Sequence, residues 1–211
     1  MTAPPLLGEA LRLIVILDAG VGRGRDLAAI GAHAADGGAT MLQVRAKEAT
    51  ARALADLVRR VTAATRLPVV VNDRLDVALA VGAAGCHLGQ DDFPIDAARA
   101  MVPAGFWLGG SAGTPGEAAR AAAAGAHYLG IGPIAETASK GDAGAAIGVD
   151  GFRRIHAAAP GVPAVAIGGV TAALAPGLVA AGAAGVAVIR AVLDAADPAL
   201  AARDLRAALG R

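Results

Sequence analysis

The sequence predicts an α/β protein folded as a single (β/α)8 barrel, the TIM-barrel fold, and three observations carry that prediction. Short apolar runs recur eight times along the 211 residues. Ala- and Leu-rich segments with helical spacing lie between them. The entries to several runs look alike, with glycine placed where a preceding helix would end.

The runs are Leu13–Leu17, Met41–Val44, Val69–Val71, Cys86–Leu88, Phe106–Leu108, Tyr128–Ile131, Ala164–Ile167 and Val186–Ile189. Continuous apolar runs of this length suit strands covered on both faces, as in a parallel sheet. Between them, Arg52–Ala64 and Glu117–Ala124 show helical spacing, and strict strand–helix alternation defines an α/β fold. The repeated entries are Asp36-Gly37-Gly38-Ala39, Gly82-Ala83-Ala84-Gly85, Gly125-Ala126 and Gly182-Ala183-Ala184-Gly185. Eight such units in a chain of this length match a compact barrel near the lower size limit of the fold. A doubly wound open sheet is the alternative. Gly20, Gly22 and Gly24 follow the first run, but their G-x-G-x-G spacing is not the dinucleotide fingerprint. Residues 1–211 are therefore read as one domain, with 1–10 a short N-terminal extension.

Composition narrows the function. A net charge of +1 provides no field for nucleic acid or anionic lipid, and 2% aromatic residues leave little for base stacking. The expected partners are small molecules, with no nucleic acid and no membrane. One cysteine, Cys86, permits no internal disulfide; it fits a reducing cytoplasm and, within an apolar run, reads as a buried inert thiol. Met1–Ala10 lacks the basic start of a secretion signal. Ala157–Ile189 carries no charge and would register as a membrane span on hydropathy alone. Pro160, Pro163, Gly168-Gly169 and Pro176 divide it, so it is read as strand, loop, helix and strand.

In a barrel the chemistry sits at the carboxyl ends of the strands, so polar residues there share one face. After the second run, Gln43, Arg45 and Lys47 alternate and point one way. Two cations and an amide suit a diphosphate, Arg through its planar fork and Lys as a point charge. Asn72-Asp73 follows the third run and Gly89-Gln90-Asp91-Asp92 the fourth. Asp73 and Asp92 are candidate ligands for Mg²⁺, which one or two carboxylates hold together with substrate phosphates. The alternative is helix capping, by Asn72 or Asp73 near Arg74 and by Asp91 or Asp92 after Pro94. Ser111 follows Gly109-Gly110 and has no evident base nearby; Thr114 reads as an N-cap before Pro115. The long connection after the sixth run brings Thr137, Ser139 and Lys140, which together suit an anion. Gly168-Gly169 after the seventh run, with Ile189-Arg190 after the eighth, corresponds to the recurrent phosphate site of this fold. His33 and His156 read as surface residues, His127 as structural, and His87 as a possible site residue.

These motifs resemble thiamine phosphate synthases over nearly the whole chain. The matching pieces are Gln43-Val44-Arg45-Ala46-Lys47, Val71-Asn72-Asp73-Arg74-Leu75-Asp76 and His87-Leu88-Gly89-Gln90-Asp91-Asp92. They continue with Gly109-Gly110-Ser111, Gly130-Ile131-Gly132-Pro133, Thr137-Ala138-Ser139-Lys140 and Ala166-Ile167-Gly168-Gly169-Val170-Thr171. The resemblance implies a (β/α)8 transferase that joins 4-amino-5-hydroxymethyl-2-methylpyrimidine diphosphate to 4-methyl-5-(2-phosphooxyethyl)thiazole. It implies thiamine phosphate and diphosphate as products, a dissociative Mg²⁺-assisted mechanism and a homodimer. By the same resemblance Gln43, Arg45, Lys47, Asn72, Ser111 and Lys140 hold the pyrimidine diphosphate. Arg45, Lys47, Ser111 and Lys140 are its catalytic contacts. Asp73 and Asp92 bind Mg²⁺, and Thr137, Ser139, Gly169, Ile189 and Arg190 hold the thiazole phosphate. Three positions depart from the pattern: Gly113 where the family often has His, Glu136 where it has Pro, and Arg190 where it has Ser. A related thiazole tautomerase shares the barrel and is expected to use a His at the Gly113 loop; that isomerase and a non-catalytic phosphate-binding barrel are the competing readings.

Overall fold

The structure, a computed structural model, describes residues 6–136 and 144–210. A helical turn, α1 (Leu7–Ala10), precedes the first strand. The alternation then runs β1 (Leu13–Asp18), α2 (Leu27–Asp36), β2 (Met41–Arg45), α3 (Ala51–Ala64), β3 (Val69–Asn72), α4 (Leu75–Ala80), β4 (Gly85–Leu88) and α5 (Ile95–Met101). It continues with β5 (Trp107–Ala112), α6 (Pro115–Ala123), β6 (Tyr128–Ile131), α7 (Gly148–His156), β7 (Ala164–Ile167), α8 (Ala175–Ala180) and β8 (Gly185–Val188). The short α9 (Arg190–Leu193) and α10 (Pro198–Ala208) complete it. The strands pair in chain order, all parallel, and β8 closes on β1 through Val15 opposite Val188.

The expected barrel is therefore present. The charge-free stretch resolves into β7, α8 and β8, and no helix among the described residues is long and apolar enough to cross a membrane.

Helix faces follow from residue spacing. In α3, Leu54, Leu57, Val58 and Val61 recur at i, i+3, i+4 and i+7 and are the buried stripe. Thr50 starts that helix by accepting the Ala53 N–H at 3.3 Å. Burial of each such aliphatic side chain contributes about 1.5–3 kcal/mol. Leu54→Ala, which leaves a cavity as well, would cost about 2–5 kcal/mol. Thr114 caps α6 as expected, accepting the Glu117 N–H at 3.2 Å with Pro115 in the first turn.

β6 and β7 coincide with their expected runs, β1 to β4 each extend theirs by one residue, and β5 and β8 are displaced at both ends. β5 extends through Gly109-Gly110 to Ala112, whereas the glycines suggest that the strand stops at Leu108. The reason lies in the two neighbouring strands and in α5. A Cβ on Gly109 would fall 2.3 Å from Tyr128 Cζ and 2.4 Å from His87 Nδ1. One on Gly110 would fall 2.9 Å from Ile95 Cδ1. These glycines make room for neighbouring side chains and do not turn the chain. Ile189 leaves the strand and becomes the N-cap residue of α9.

Candidate active site

The carboxyl ends of the strands open into a cavity of about 1080 Å³. Its wall includes Arg45 and Lys47 from the end of β2, Asn72 and Asp73 from β3, and His87 with Gly89–Asp92 from β4. Ser111 and Gly113 come from β5, Gly132 and Pro133 from β6, Gly168 and Gly169 from β7, and Ile189 and Arg190 from β8. Barrel closure thus collects residues far apart in sequence. Gln43 does not reach this wall: it is buried deeper in the barrel, with its side chain hydrogen-bonded to Tyr128. Thr137, Ser139 and Lys140 lie outside the described residues.

The acidic turns do not cap helices. Neither α4 nor α5 has a side-chain cap, their N-cap residues being Arg74 and Pro94. The Asp73 and Asp92 carboxylates instead lie within hydrogen-bonding reach of each other. Burial, then the hydrogen bond and the negative charge of Asp92, pushes the Asp73 carboxyl up to about 6, against the pull of Lys47 and Arg45. Asp73 is also the one non-glycine among the described residues in the left-handed backbone region, with φ 63°. A strained carboxylate aimed at another carboxylate has a cost in the free protein, and such costs concentrate at functional sites. Asp92 is held in turn by the Gly89 N–H at 2.7 Å.

Ser111 has a partner that its sequence neighbours do not reveal. Its Oγ lies 3.0 Å from His87 Nε2, and His87 Nδ1 lies 3.2 Å from the Tyr128 hydroxyl. With Gln43 on Tyr128, the chain of polar groups runs from the barrel interior to the cavity. Burial holds the Tyr128 hydroxyl above its ordinary pKa, so it stays protonated and can donate. Cys86 is buried, and burial, followed by the charges of Asp73, Asp92 and Asp76, raises its thiol well above the ordinary range; it is inert.

Sequence reading missed Asp18 and Glu117. Asp18, at the end of β1, forms a buried ion pair with Arg45. Glu117 accepts the Gly113 N–H at 2.6 Å and the Gln90 amide at 2.9 Å, tying the Asp92 turn to the Ser111 loop. Burial opposes its charge, but these hydrogen bonds outweigh it and its pKa lies below the ordinary value. The position of Asp18 was the available signal, since it occupies the strand-end place in β1 that Asn72 occupies in β3.

At the other side of the mouth, Gly168 and Gly169 both take positive φ, 86° and 68°. A Cβ on Gly169 would lie 2.8 Å from the Ala135 carbonyl oxygen, so only glycine fits against the loop after β6. The helix that follows this pair, α8, begins only at Ala175; the helix that opens directly at the cavity is the short α9. Arg190, its first residue, is exposed and pairs with Asp194 at 3.0 Å.

A closed parallel barrel with its polar groups gathered at the carboxyl face defines a (β/α)8-barrel enzyme. The model of the family described as thiamine monophosphate synthase matches residues 13–192. A thiamine-phosphate synthase of Moorella thermoacetica is 48% identical, over 94% of this chain and 96% of its own. One of Methanoculleus marisnigri is 46% identical, over 92% and 93%. The solved thiamine phosphate pyrophosphorylase of Pyrococcus furiosus superposes with a TM-score of 0.87 at 36% identity, over 97% and 98% of the two chains. The chain belongs to the thiamine monophosphate synthase family, and is a transferase of thiamine biosynthesis.

Proposed function

We propose that the enzyme joins 4-amino-5-hydroxymethyl-2-methylpyrimidine diphosphate to 4-methyl-5-(2-phosphooxyethyl)thiazole, with loss of diphosphate. The observation that carries this reading is the Asp73–Asp92 pair facing Arg45 and Lys47 across one cavity. Two carboxylates that repel each other suit a divalent cation, and nearby cations suit the anion that such a cation bridges. The donor set fits Mg²⁺, which takes one or two carboxylates and completes its shell with phosphate oxygens and water. When bound, it neutralises charge on the departing diphosphate.

The protein's own residues have defined tasks. Arg45 and Lys47 receive the diphosphate and stabilise its charge as the C–O bond to the methylene carbon breaks. Lys140 is assigned to the same task from its place in the sequence motif. Asn72 and Ser111 orient the pyrimidine side, with Ser111 steadied by His87. The electron pair leaves with diphosphate, the aminopyrimidine carries the resulting methylene cation, and the thiazole nitrogen supplies the pair for the new C–N bond. Gly169, Ile189 and Arg190, with Thr137 and Ser139, hold the thiazole phosphate. No general base is required, since the thiazole nitrogen attacks with its own lone pair. A homodimer and a cytoplasmic location accompany this reading on the strength of the family resemblance and the single buried thiol.

The test is product analysis by mass spectrometry. Thiamine phosphate and diphosphate should appear in equal amounts only with both substrates and Mg²⁺ present. Turnover of a thiazole phosphate alone, without metal, would show an isomerase instead. Binding without any turnover would show a phosphate-binding barrel.

A further inference from the structure

Arg45 is held in an unusual way. Its guanidinium forms its ion pair through Nη1 alone, to Asp18 Oδ2, although the side chain is only 11% exposed and that of Asp18 only 4%. Its Nε is buried and has no hydrogen-bond partner among the described residues. A buried N–H without a partner is costly. Arg74 shows the geometry of an arginine whose pairing is satisfied: it gives Asp76 both Nε, at 2.9 Å, and Nη2, at 2.6 Å, at the surface. Arg45 commits one nitrogen to its acid and leaves the remainder of its fork unsatisfied by that acid.

Asp18 is itself fixed. Its Oδ1 accepts the N–H groups of Gly20 at 2.8 Å and Val21 at 3.0 Å, and its carbonyl accepts the Gly22 N–H at 2.8 Å. A Cβ on Gly20 would lie 3.2 Å from that same Oδ1. The glycine-rich turn after β1, which matches no nucleotide fingerprint, is thus the cradle of this carboxylate. Asp18 stands opposite Arg45 in the β1–β2 register, and Arg45 lines the cavity whereas Asp18 does not.

We propose that Asp18 is a positioning residue for the transfer reaction, holding the Arg45 guanidinium at the cavity wall by one nitrogen so that the remainder of its fork is kept for an oxygen of the diphosphate. This rests on the reading of Arg45 as a diphosphate contact. Asp18 touches no substrate and acts through Arg45 alone. Hydrogen bonds to charged groups are among the stronger ones, so losing the anchor lowers kcat/KM for the pyrimidine diphosphate by roughly tenfold to hundredfold.

The experiment is a double-mutant cycle with Asp18→Asn, Arg45→Ala and the double variant, read as kcat and KM for the pyrimidine diphosphate and as Kd for thiazole phosphate. The expected result is a loss in Asp18→Asn, no further loss when it is added to Arg45→Ala, and an unchanged Kd for thiazole phosphate. An equal loss in both backgrounds would show that Asp18 acts independently of Arg45 and would overturn the proposal. A normal rate in Arg45→Ala would overturn the diphosphate reading itself, a distinct outcome. A second measurement reads the wild-type protein and uses a variant only for assignment. In wild-type protein labelled with 15N arginine, the Arg45 guanidinium N–H signals, identified by their absence from Arg45→Lys, should move downfield when MgCl2 and inorganic diphosphate are added. Signals that stay in place while calorimetry shows diphosphate bound would exclude Arg45 as a donor and overturn the proposal.

Discussion

Gly169→Ala separates two costs that are usually mixed. Gly169 has φ 68° and Gly82 has φ 67°, so alanine meets the same backbone penalty at both. For a residue with a Cβ the left-handed region costs roughly 1–2 kcal/mol. Their surroundings differ. Nothing lies within 4 Å of a Cβ on Gly82, whereas one on Gly169 lies 2.8 Å from both Ala135 Cβ and Ala135 O. Those are backbone or backbone-fixed atoms and cannot rotate away. They belong to a loop tied to the glycine pair by the Ile134 and Ala135 N–H groups, which donate to Gly168 O at 2.9 and 3.0 Å. Relieving such a contact costs about 1–3 kcal/mol more. Gly82→Ala should therefore lose about 1–2 kcal/mol and Gly169→Ala about 2–5 kcal/mol. For a domain of this size a gap of about 2 kcal/mol is about 4–8 °C in Tm. Differential scanning calorimetry gives the melting temperatures, and the KM for thiazole phosphate gives the local consequence: it should rise in Gly169→Ala and not in Gly82→Ala. Equal melting temperatures in the two variants would refute the close-packing argument.

Asp92→Ala should reduce turnover by roughly a hundredfold or more while the circular dichroism spectrum stays native, because the residue lies at the catalytic face outside the core. Asp73 gives a pH signature. Its pKa rises from 3.8 to about 6 on folding, so it favours the folded state fully below 3.8 and that contribution is lost as pH rises through about 6. In metal-free protein the wild type should lose about 1 kcal/mol relative to Asp73→Asn between pH 4 and 7 in urea titrations, after allowance for solvent screening at this partly exposed group. A constant difference across that range would contradict the carboxylate pairing. Arg190→Ala should raise the KM for thiazole phosphate several-fold with little change in Tm, since its ion pair with Asp194 is exposed; an unchanged KM would remove Arg190 from the site.

Much of the barrel is legible in the sequence because most strands contain a short apolar run and helices such as α3 carry their own spacing. The spacing of Leu54, Leu57, Val58 and Val61 alone marks the buried face of α3. Gly109-Gly110 mislead for a physical reason: the side chains that require their lack of Cβ, Tyr128, His87 and Ile95, are remote in sequence. The candidate site is legible at strand ends, where alternation and barrel topology together imply a common face. Its supporting contacts are not. Asp18 meets Arg45 because β1 and β2 are in register, and His87 meets Ser111 across β4 and β5. Local spacing reports neither. Whether Asp73 and Asp92 cap helices likewise turns on three dimensions, where the caps are absent and the two carboxylates meet.

The claim at the centre of this account is that Asp73 and Asp92 with Arg45 and Lys47 make one site for a metal-bound diphosphate. Isothermal titration of inorganic diphosphate into the wild-type protein, with and without MgCl2, tests it most directly. Binding that requires MgCl2, and that is lost in Asp73→Asn and Asp92→Asn, is the predicted result. Binding of equal strength without the metal, or undiminished in both variants, would contradict it.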